Sequence, residues 1–365
     1  MPTPTRRPDL STLDPDGLEA FARDLGQPAF RGRQLYRWVY GSDVGFEEMT
    51  NLPKALRQKL PEVATLGRLV ESRRQVASDG TTKCLFRLPS GREIEAVLIP
   101  ALRPDGSVLR LTVCVSSQVG CAMGCTFCAT GLMGFKENLT AGQITEQVAR
   151  MSAIAEERYG RGATNVVFMG MGEPFQNYAA VTQALRVLTD PDLFGLGARR
   201  ITVSTVGLAR RIVEFADDQA AGRIPKAGLA ISLHAPTDEQ RSAIMPVNRS
   251  EKTDLGALRE AVRHYYAQTG SRVTYEYCLF DGVNDRAEDA DHLARITSWA
   301  PSKVNLIVYN PVDGTGFGAT DERRLDRFVR ELTRRGVTVT VRRSRGQDID
   351  AACGQLAVLG DAEED

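Results

Sequence analysis

From residue 110 onward, short β-branched runs alternate with stretches of helical periodicity, and this alternation constrains the fold more than any other feature. The strand candidates are 111–116 (LTVCVS), 165–170 (NVVFMG), 200–205 (RITVST), 227–233 (AGLAISL), 272–280 (RVTYEYCLF), 303–310 (KVNLIVYN) and 338–344 (TVTVRRS). Between the first two, Thr140 and Gln143 stand in capping-box positions ahead of Ile144, Val148, Met151 and Ile154, which fall along one helical face. Such alternation predicts an α/β fold with a parallel sheet and helices outside, either doubly wound or curled into a partial barrel. Ligands of these sheets sit at the carboxyl ends of the strands.

The first third of the chain reads differently. Asp14-Pro-Asp-Gly17 opens LEAFARDLG, Leu35, Trp38 and Val39 keep helical spacing, and NLPKALRQKL repeats the pattern, so residues 1–75 read as a small helical domain. TTKCLFRL, the turn Pro89-Ser-Gly91 and EIEAVLIP then predict a β-hairpin within a linker over 76–109. The catalytic domain is expected over 110–357, and the tail 358–365, ending GDAEED, reads as disordered. No apolar run approaches the roughly 18–20 residues of a membrane span, and the N-terminus lacks a hydrophobic signal segment, so no membrane is expected and the cytoplasm is.

Seven cysteines are present, and three of them, Cys121, Cys125 and Cys128, lie within eight residues. An odd count clustered in this way is a poor disulfide framework and a good metal site. Cys-x₃-Cys-x₂-Cys places three thiolates in one tight loop after a strand, and Gly120, Gly124 and Gly131 let the backbone turn closely around an inorganic core. A 4Fe–4S cluster normally takes four cysteines, so three leave one iron open. Zinc would need a fourth ligand, and no histidine lies nearby in sequence.

At this point the chain resembles the radical S-adenosylmethionine (SAM) superfamily, whose hallmark is this cysteine loop after the first strand of a partial (β/α)₆ barrel. The segments CVSSQVGCAMGCTFCATG, VVFMGMGEPFQNY, ITVSTVG, AISLHAP, YEYCLFDGVND, NLIVYNP and RGQDIDAACGQL further resemble the RlmN family of adenine C2-methyltransferases, over roughly residues 15–357. The resemblance implies a 4Fe–4S cluster on Cys121, Cys125 and Cys128, with SAM chelated at the open iron. It also implies SAM contacts from Gly172, Glu173, Ser204, Ser232, Leu233, His234 and Asn310. Taken singly, a glycine pair or a strand-end histidine would carry no such meaning.

The reaction the family performs explains two further cysteines. Adenine C2 is electron-poor and the SAM methyl is an electrophile, so direct transfer fails and a covalent carrier with a radical is required. The resemblance implies that Cys353 takes a methyl group from one SAM and that a second SAM, cleaved by one electron, supplies a deoxyadenosyl radical. The radical removes a hydrogen from the S-methyl group, and the resulting carbon radical adds to C2. Cys114 then attacks Cys353, releasing methylated RNA and leaving a transient disulfide between the two. Glu95 matches a position treated as the proton acceptor, and Cys114 competes for that role. Away from the family motifs, each lone cysteine would read as an inert buried thiol. Cys84 and Cys278 match no motif and read as structural.

The implied substrates are 23S rRNA, at the peptidyl-transferase centre, and tRNA, at the anticodon loop, with adenine C8 methylation as the alternative. A low-potential electron donor such as flavodoxin or ferredoxin and a thiol reductant are implied as partners. Net charge is zero, from 46 Lys and Arg against 46 Asp and Glu, so any RNA surface must be a local basic patch. Candidates are Arg31, Arg33, Arg37, Lys54, Arg57 and Lys59 in the N-terminal region and the group Arg342, Arg343 and Arg345. Arg323 to Arg335 is interleaved with acids and reads as a solvated helix face.

Overall fold

A computed structural model describes residues 7–357. The expected disordered tail, 358–365, lies outside the described residues. Twelve strands occur, β1 Val70–Val76, β2 Thr82–Arg87, β3 Glu93–Leu102, β4 Val108–Cys114, β5 Gln118–Val119, β6 Glu137–Asn138, β7 Asn165–Phe168, β8 Ile201–Thr205, β9 Gly228–Ser232, β10 Val273–Leu279, β11 Ser302–Val308 and β12 Val339–Arg342. Ten form one sheet in the order β1-β2-β3-β4-β7-β8-β9-β10-β11-β12, and β5 pairs with β6 alone.

The sheet has two halves with different physics. From β4 through β12 every pairing is parallel, and these are the seven runs expected from β-branched alternation. From β1 to β4 the pairings are antiparallel. The expected hairpin over 78–100 is therefore the middle of a four-stranded meander that starts at Val70. The helical region expected over 1–75 therefore runs too far: residues 70–76 (VESRRQV), which carry no alternation of buried and exposed positions, are strand. They form an edge strand, where charged side chains on both faces are tolerated and discourage further pairing.

The sheet curls. β12 lies at the opposite edge from β1, yet the segment after β12 reaches the β1–β3 hairpins: Asp348 accepts from the Ser78 amide at 2.9 Å and the Asp350 carbonyl from Lys83 Nζ at 3.3 Å. Residues 346–357 thus cross the gap of a partial barrel and cover its interior. The long helix Ala141–Tyr159 packs on β3 and β4. Its start is a capping box, with Thr140 Oγ1 accepting from the Gln143 amide at 3.1 Å and Gln143 Oε1 from the Thr140 amide at 2.9 Å, and Ile144, Val148, Met151 and Ile154 are all buried. Helices Pro15–Asp24, Phe30–Gly41 and Lys54–Val63 build the N-terminal region. Glu146 joins the two parts, since its buried carboxylate accepts from the Leu69 amide and from Arg150.

Candidate active site

The cysteine loop follows β5 and wraps tightly. Gly120 has φ 67°, and a Cβ there would lie 1.8 Å from the Gly134 carbonyl oxygen, so the chain leaving the loop lies directly against the chain entering it. A Cβ at Gly131 would meet the Cys125 carbonyl at 2.8 Å. Cys121, Cys125 and Cys128 line one cavity of about 940 Å³, its open mouth included. Burial pushes the Cys121 thiol up to about 12, and the Cys128 thiol acts on both of the others and Cys121 on Cys125. Buried thiolates therefore need a cationic partner. Among the described residues no three metal-binding side chains converge tightly enough for a single ion. Three separate thiols around open space fit a polynuclear iron–sulfur core.

The carboxyl ends of the next strands line the same cavity. The turn after β7 is pressed against residues 115–118, where a Cβ at Gly170 would lie 2.7 Å from the Val115 carbonyl and one at Gly172 (φ 96°) 2.5 Å from Gln118 Cβ. This fixes Glu173, whose buried carboxylate accepts from the Phe175 amide at 2.9 Å and the Val206 amide at 2.8 Å. Burial pushes its pKa up to about 7, against the pull of those two amides. Ser204 and Ser232, ending β8 and β9, approach each other at 3.4 Å between hydroxyls. His234 has φ 54°, and its Nδ1 accepts from the Cys278 amide at 3.1 Å, which leaves Nε2 as the protonated nitrogen. Burial lowers its pKa to about 3, so the ring is neutral, with Phe127 edge-on at 5.0 Å between centroids.

Cys353 enters this cavity from the C-terminal segment, and the following residue is tied to the cysteine loop by the Ala129 amide donating to the Gly354 carbonyl at 2.8 Å. Cys114, at the end of β4, is buried and does not line the cavity; desolvation pushes its thiol up to about 12, with the Cys353 sulfur as the next cause. Asn310 and Leu233 lie outside the lining too. Asn310 Nδ2 donates to the Cys353 carbonyl at 3.4 Å, and the Leu233 amide to the Glu276 carbonyl at 3.0 Å. Glu95, on β3, is no solvated strand residue: it is buried in an ion pair with Lys83 at 3.0 Å, away from the cavity wall.

Two further polar residues belong to this site, one absent from the sequence expectations and one expected elsewhere. Glu276, in register with Ser232 on β10, is a buried carboxylate on the cavity wall that accepts from Asn305 Nδ2 at 2.8 Å. A strand-borne Glu inside an apolar run, YEYCL, was the available signal. Arg342 was grouped with surface cations. It is half-buried instead, with Nη1 3.6 Å from Met169 Sδ across the barrel, and Cys353, Glu276 and Cys114 all hold its charge in place.

The comparisons with known proteins bear on both parts of the chain. Residues 8–66 match the family described as the ribosomal RNA large subunit methyltransferase N-terminal domain, and residues 115–294 match the radical SAM superfamily. A probable dual-specificity RNA methyltransferase RlmN of Salinibacter ruber is 58% identical across 97% of this chain and 95% of its own length. The chain belongs to the RlmN family. The dual-specificity RNA methyltransferase RlmN of Anaeromyxobacter sp. is 45% identical over 98% of this chain and 93% of its own. A crystal structure of a radical SAM methyltransferase from Sphaerobacter thermophilus superposes with a TM-score of 0.86 at 45% identity, covering 96% of this chain and 99% of the other. This RlmN-family enzyme is thus a radical SAM RNA methyltransferase that uses a 4Fe–4S cluster and SAM, and the partial-barrel expectation holds.

In this RlmN-family enzyme the N-terminal cations are largely engaged. Arg33 pairs with Glu19 at 3.0 Å, Arg37 with Asp192 at 2.6 Å and Lys59 with Glu62 at 2.8 Å, while Arg31 and Arg57 donate to the Asn51 and Glu47 carbonyls. Arg343 pairs with Glu322 at 3.1 Å and Arg345 lies 3.8 Å from Asp79. These exposed pairs are worth little, so phosphates compete for the arginines at small cost. Among the described residues no helix is long and apolar enough to cross a membrane.

Proposed function

We propose that this enzyme methylates C2 of an adenine in 23S rRNA and in tRNA, with Cys353 as the methyl carrier and Cys114 as the resolving thiol. The observation that carries the reading is the position of Cys353 on the wall of the cavity that the three loop cysteines line, close enough to raise the pKa of the Cys114 thiol at the end of β4. A carrier thiol must stand in the chamber where the radical forms, and a resolving thiol must reach it from behind.

Cys121, Cys125 and Cys128 would hold the cluster, whose bound form supplies the electron that turns SAM into a radical source. Glu173 would accept the SAM ammonium, and Gly172, Ser204, Ser232, Leu233, His234 and Asn310 would shape its site. The Cys353 thiolate attacks the methyl of a first SAM, releasing S-adenosylhomocysteine and becoming S-methylcysteine. A hydrogen atom passes from that methyl to the radical derived from a second SAM, and the carbon radical left on Cys353 adds to C2, so Cys353 and the base share a thioether. The adduct gives up one electron, for which the oxidised cluster would be the acceptor, and its C2 proton, and the Cys114 thiolate then attacks the Cys353 sulfur. The carbon–sulfur bond breaks with its electron pair on carbon, which takes up a proton to become the methyl group; methylated RNA departs, and a Cys114–Cys353 disulfide remains for a two-electron thiol reductant. Glu95, buried beside Lys83, and Cys114 are the two proposed acceptors of the C2 proton. Residues 1–75 form the RNA-contacting domain, 76–109 the linker and 110–357 the catalytic domain. A flavodoxin or ferredoxin would supply the electron, and the cytoplasm, where these RNAs are found, would be the setting.

The test is to incubate anaerobically reconstituted protein with SAM, a reductant and 23S rRNA or tRNA, and to locate the methyl group by mass spectrometry of the nucleosides. 2-Methyladenosine is the expected product. 8-Methyladenosine, or no RNA product beside SAM cleavage, would overturn the reading.

A further inference from the structure

Arg241 is wholly buried, at 0% exposure, in the helix Asp238–Ile244. Its Nη1 donates to Asn248 Oδ1 and to the Thr253 carbonyl, its Nη2 donates to the Val206 carbonyl, and its Nε has no partner. All three acceptors are neutral, and among the described residues no carboxylate accepts a hydrogen bond from this guanidinium. Asp238, the carboxylate that acts on it through space, is already engaged by the Leu255 amide and by Asn248. A cation taken out of water without a counter-charge is costly, and neutral acceptors recover only part of that cost.

The helix that carries Arg241 packs against the cysteine loop; burial lowers the guanidinium pKa to about 10, and Cys125 is the largest of the charges opposing that shift. The end of this helix is fixed to that loop, since the Ile244 carbonyl accepts from the Thr126 amide at 3.0 Å. On the other side, Val206, whose carbonyl Arg241 holds, donates its own amide to Glu173 Oε2 at 2.8 Å. One buried cation therefore touches the support of the cluster loop and the support of the carboxylate that faces SAM. A 4Fe–4S core on three thiolates is net negative, and one-electron reduction adds a further negative charge. Net charge and nearby dipoles are among the levers that set such potentials.

We propose that Arg241 is the counter-charge of the iron–sulfur cluster, raising its reduction potential and so favouring the reduced form that cleaves SAM, while its hydrogen bond to Val206 positions Glu173. Arg241 acts through other groups and is a positioning residue. The inference rests on the reading that Cys121, Cys125 and Cys128 hold the cluster.

The test uses the full chain, reconstituted anaerobically without SAM, with the cluster's potential followed by electron paramagnetic resonance in a redox titration. Arg241→Gln removes the charge. Thr253→Asp keeps the arginine and places an acid beside it, neutralising the charge by a second route that removes no donor. At the wild-type midpoint both variants should show at least a tenfold lower ratio of reduced to oxidised cluster, about 59 mV for a one-electron couple. Arg241→Lys should stay within about threefold of wild type. Either neutralised variant holding a full complement of iron at the wild-type potential would overturn the proposal. Failure of the neutralised variants to retain a cluster that Arg241→Lys retains would support it. A folded Arg241→Lys protein that also fails to retain the cluster would overturn it, since shape and not charge would then be what is required. A wild-type protein that takes up no cluster would instead refute the site assignment itself.

Discussion

The side chain of Asn310 joins the end of β11 to the segment that carries Cys353: Nδ2 lies 3.4 Å from the Cys353 carbonyl, and Oδ1 accepts from Gln347 Nε2 at 2.9 Å. Cys353, the proposed carrier, sits on irregular backbone, so its position depends on contacts of this kind more than on a strand or helix. Removing both with Asn310→Ala should cost about 2 kcal/mol of stability, the net worth of two ordinary hydrogen bonds. Methyl transfer should also fall, at least tenfold, because small misplacements of reacting atoms are amplified in rate. Mass spectrometry of the intact protein, following the rate at which Cys353 gains a methyl group, checks this. An unchanged rate would show that Asn310 does not position the carrier.

The cluster assignment predicts that Cys125→Ala, purified and reconstituted anaerobically, carries fewer than four irons per chain and does not cleave SAM. Iron analysis and product chromatography read both. A variant with full iron and undiminished cleavage would remove Cys125 from the ligand set.

Gly120→Ala addresses the loop without touching a thiol. The added Cβ would fall 1.8 Å from the Gly134 carbonyl oxygen at a positive φ, so the two strands of backbone must part. The left-handed conformation alone costs about 1–2 kcal/mol for a residue with a side chain. Cluster content after reconstitution should fall well below that of wild type although all seven cysteines remain. Normal iron loading would mean the close approach at Gly120 is not needed.

Glu173→Ala should weaken SAM binding by about 2–3 kcal/mol, because a buried ammonium would lose its charged acceptor. The substitution also frees the Phe175 and Val206 amides, so Glu173→Gln, which keeps an acceptor oxygen, should lose less. Calorimetry of SAM binding distinguishes them, and wild-type affinity in Glu173→Ala would remove the residue from the site.

What the sequence made legible follows from how strongly each feature is patterned. The parallel strands could be read because strands buried on both faces are continuous apolar runs, and the helix after Thr140 because a capping box precedes a clean apolar face. The cysteine loop could be read because its spacing is tight and local. β1 could not, since its exposed edge leaves VESRRQV without alternation. Glu276 and Arg241, and the buried setting of Arg342, are illegible for a different reason. Their meaning lies in partners distant in sequence, Asn305 on the neighbouring strand, Val206 after β8 and Met169 after β7. Arg342 in particular sits in a basic run that reads as surface until the curl of the sheet turns it inward.

The covalent scheme at Cys353 and Cys114 is tested most directly by comparing the two cysteine variants with RNA under reducing, anaerobic conditions. Cys353→Ala has no carrier, so it should neither gain a methyl group nor bind RNA covalently. Cys114→Ala should still be methylated at Cys353 and still add to the adenine, but it lacks the thiol that breaks the thioether. The measurement is a denaturing gel of Cys114→Ala protein, which should show nucleic acid that survives denaturation and disappears with ribonuclease. A folded Cys114→Ala protein that is inactive and carries no bound RNA, or RNA methylation by Cys353→Ala, would contradict the account.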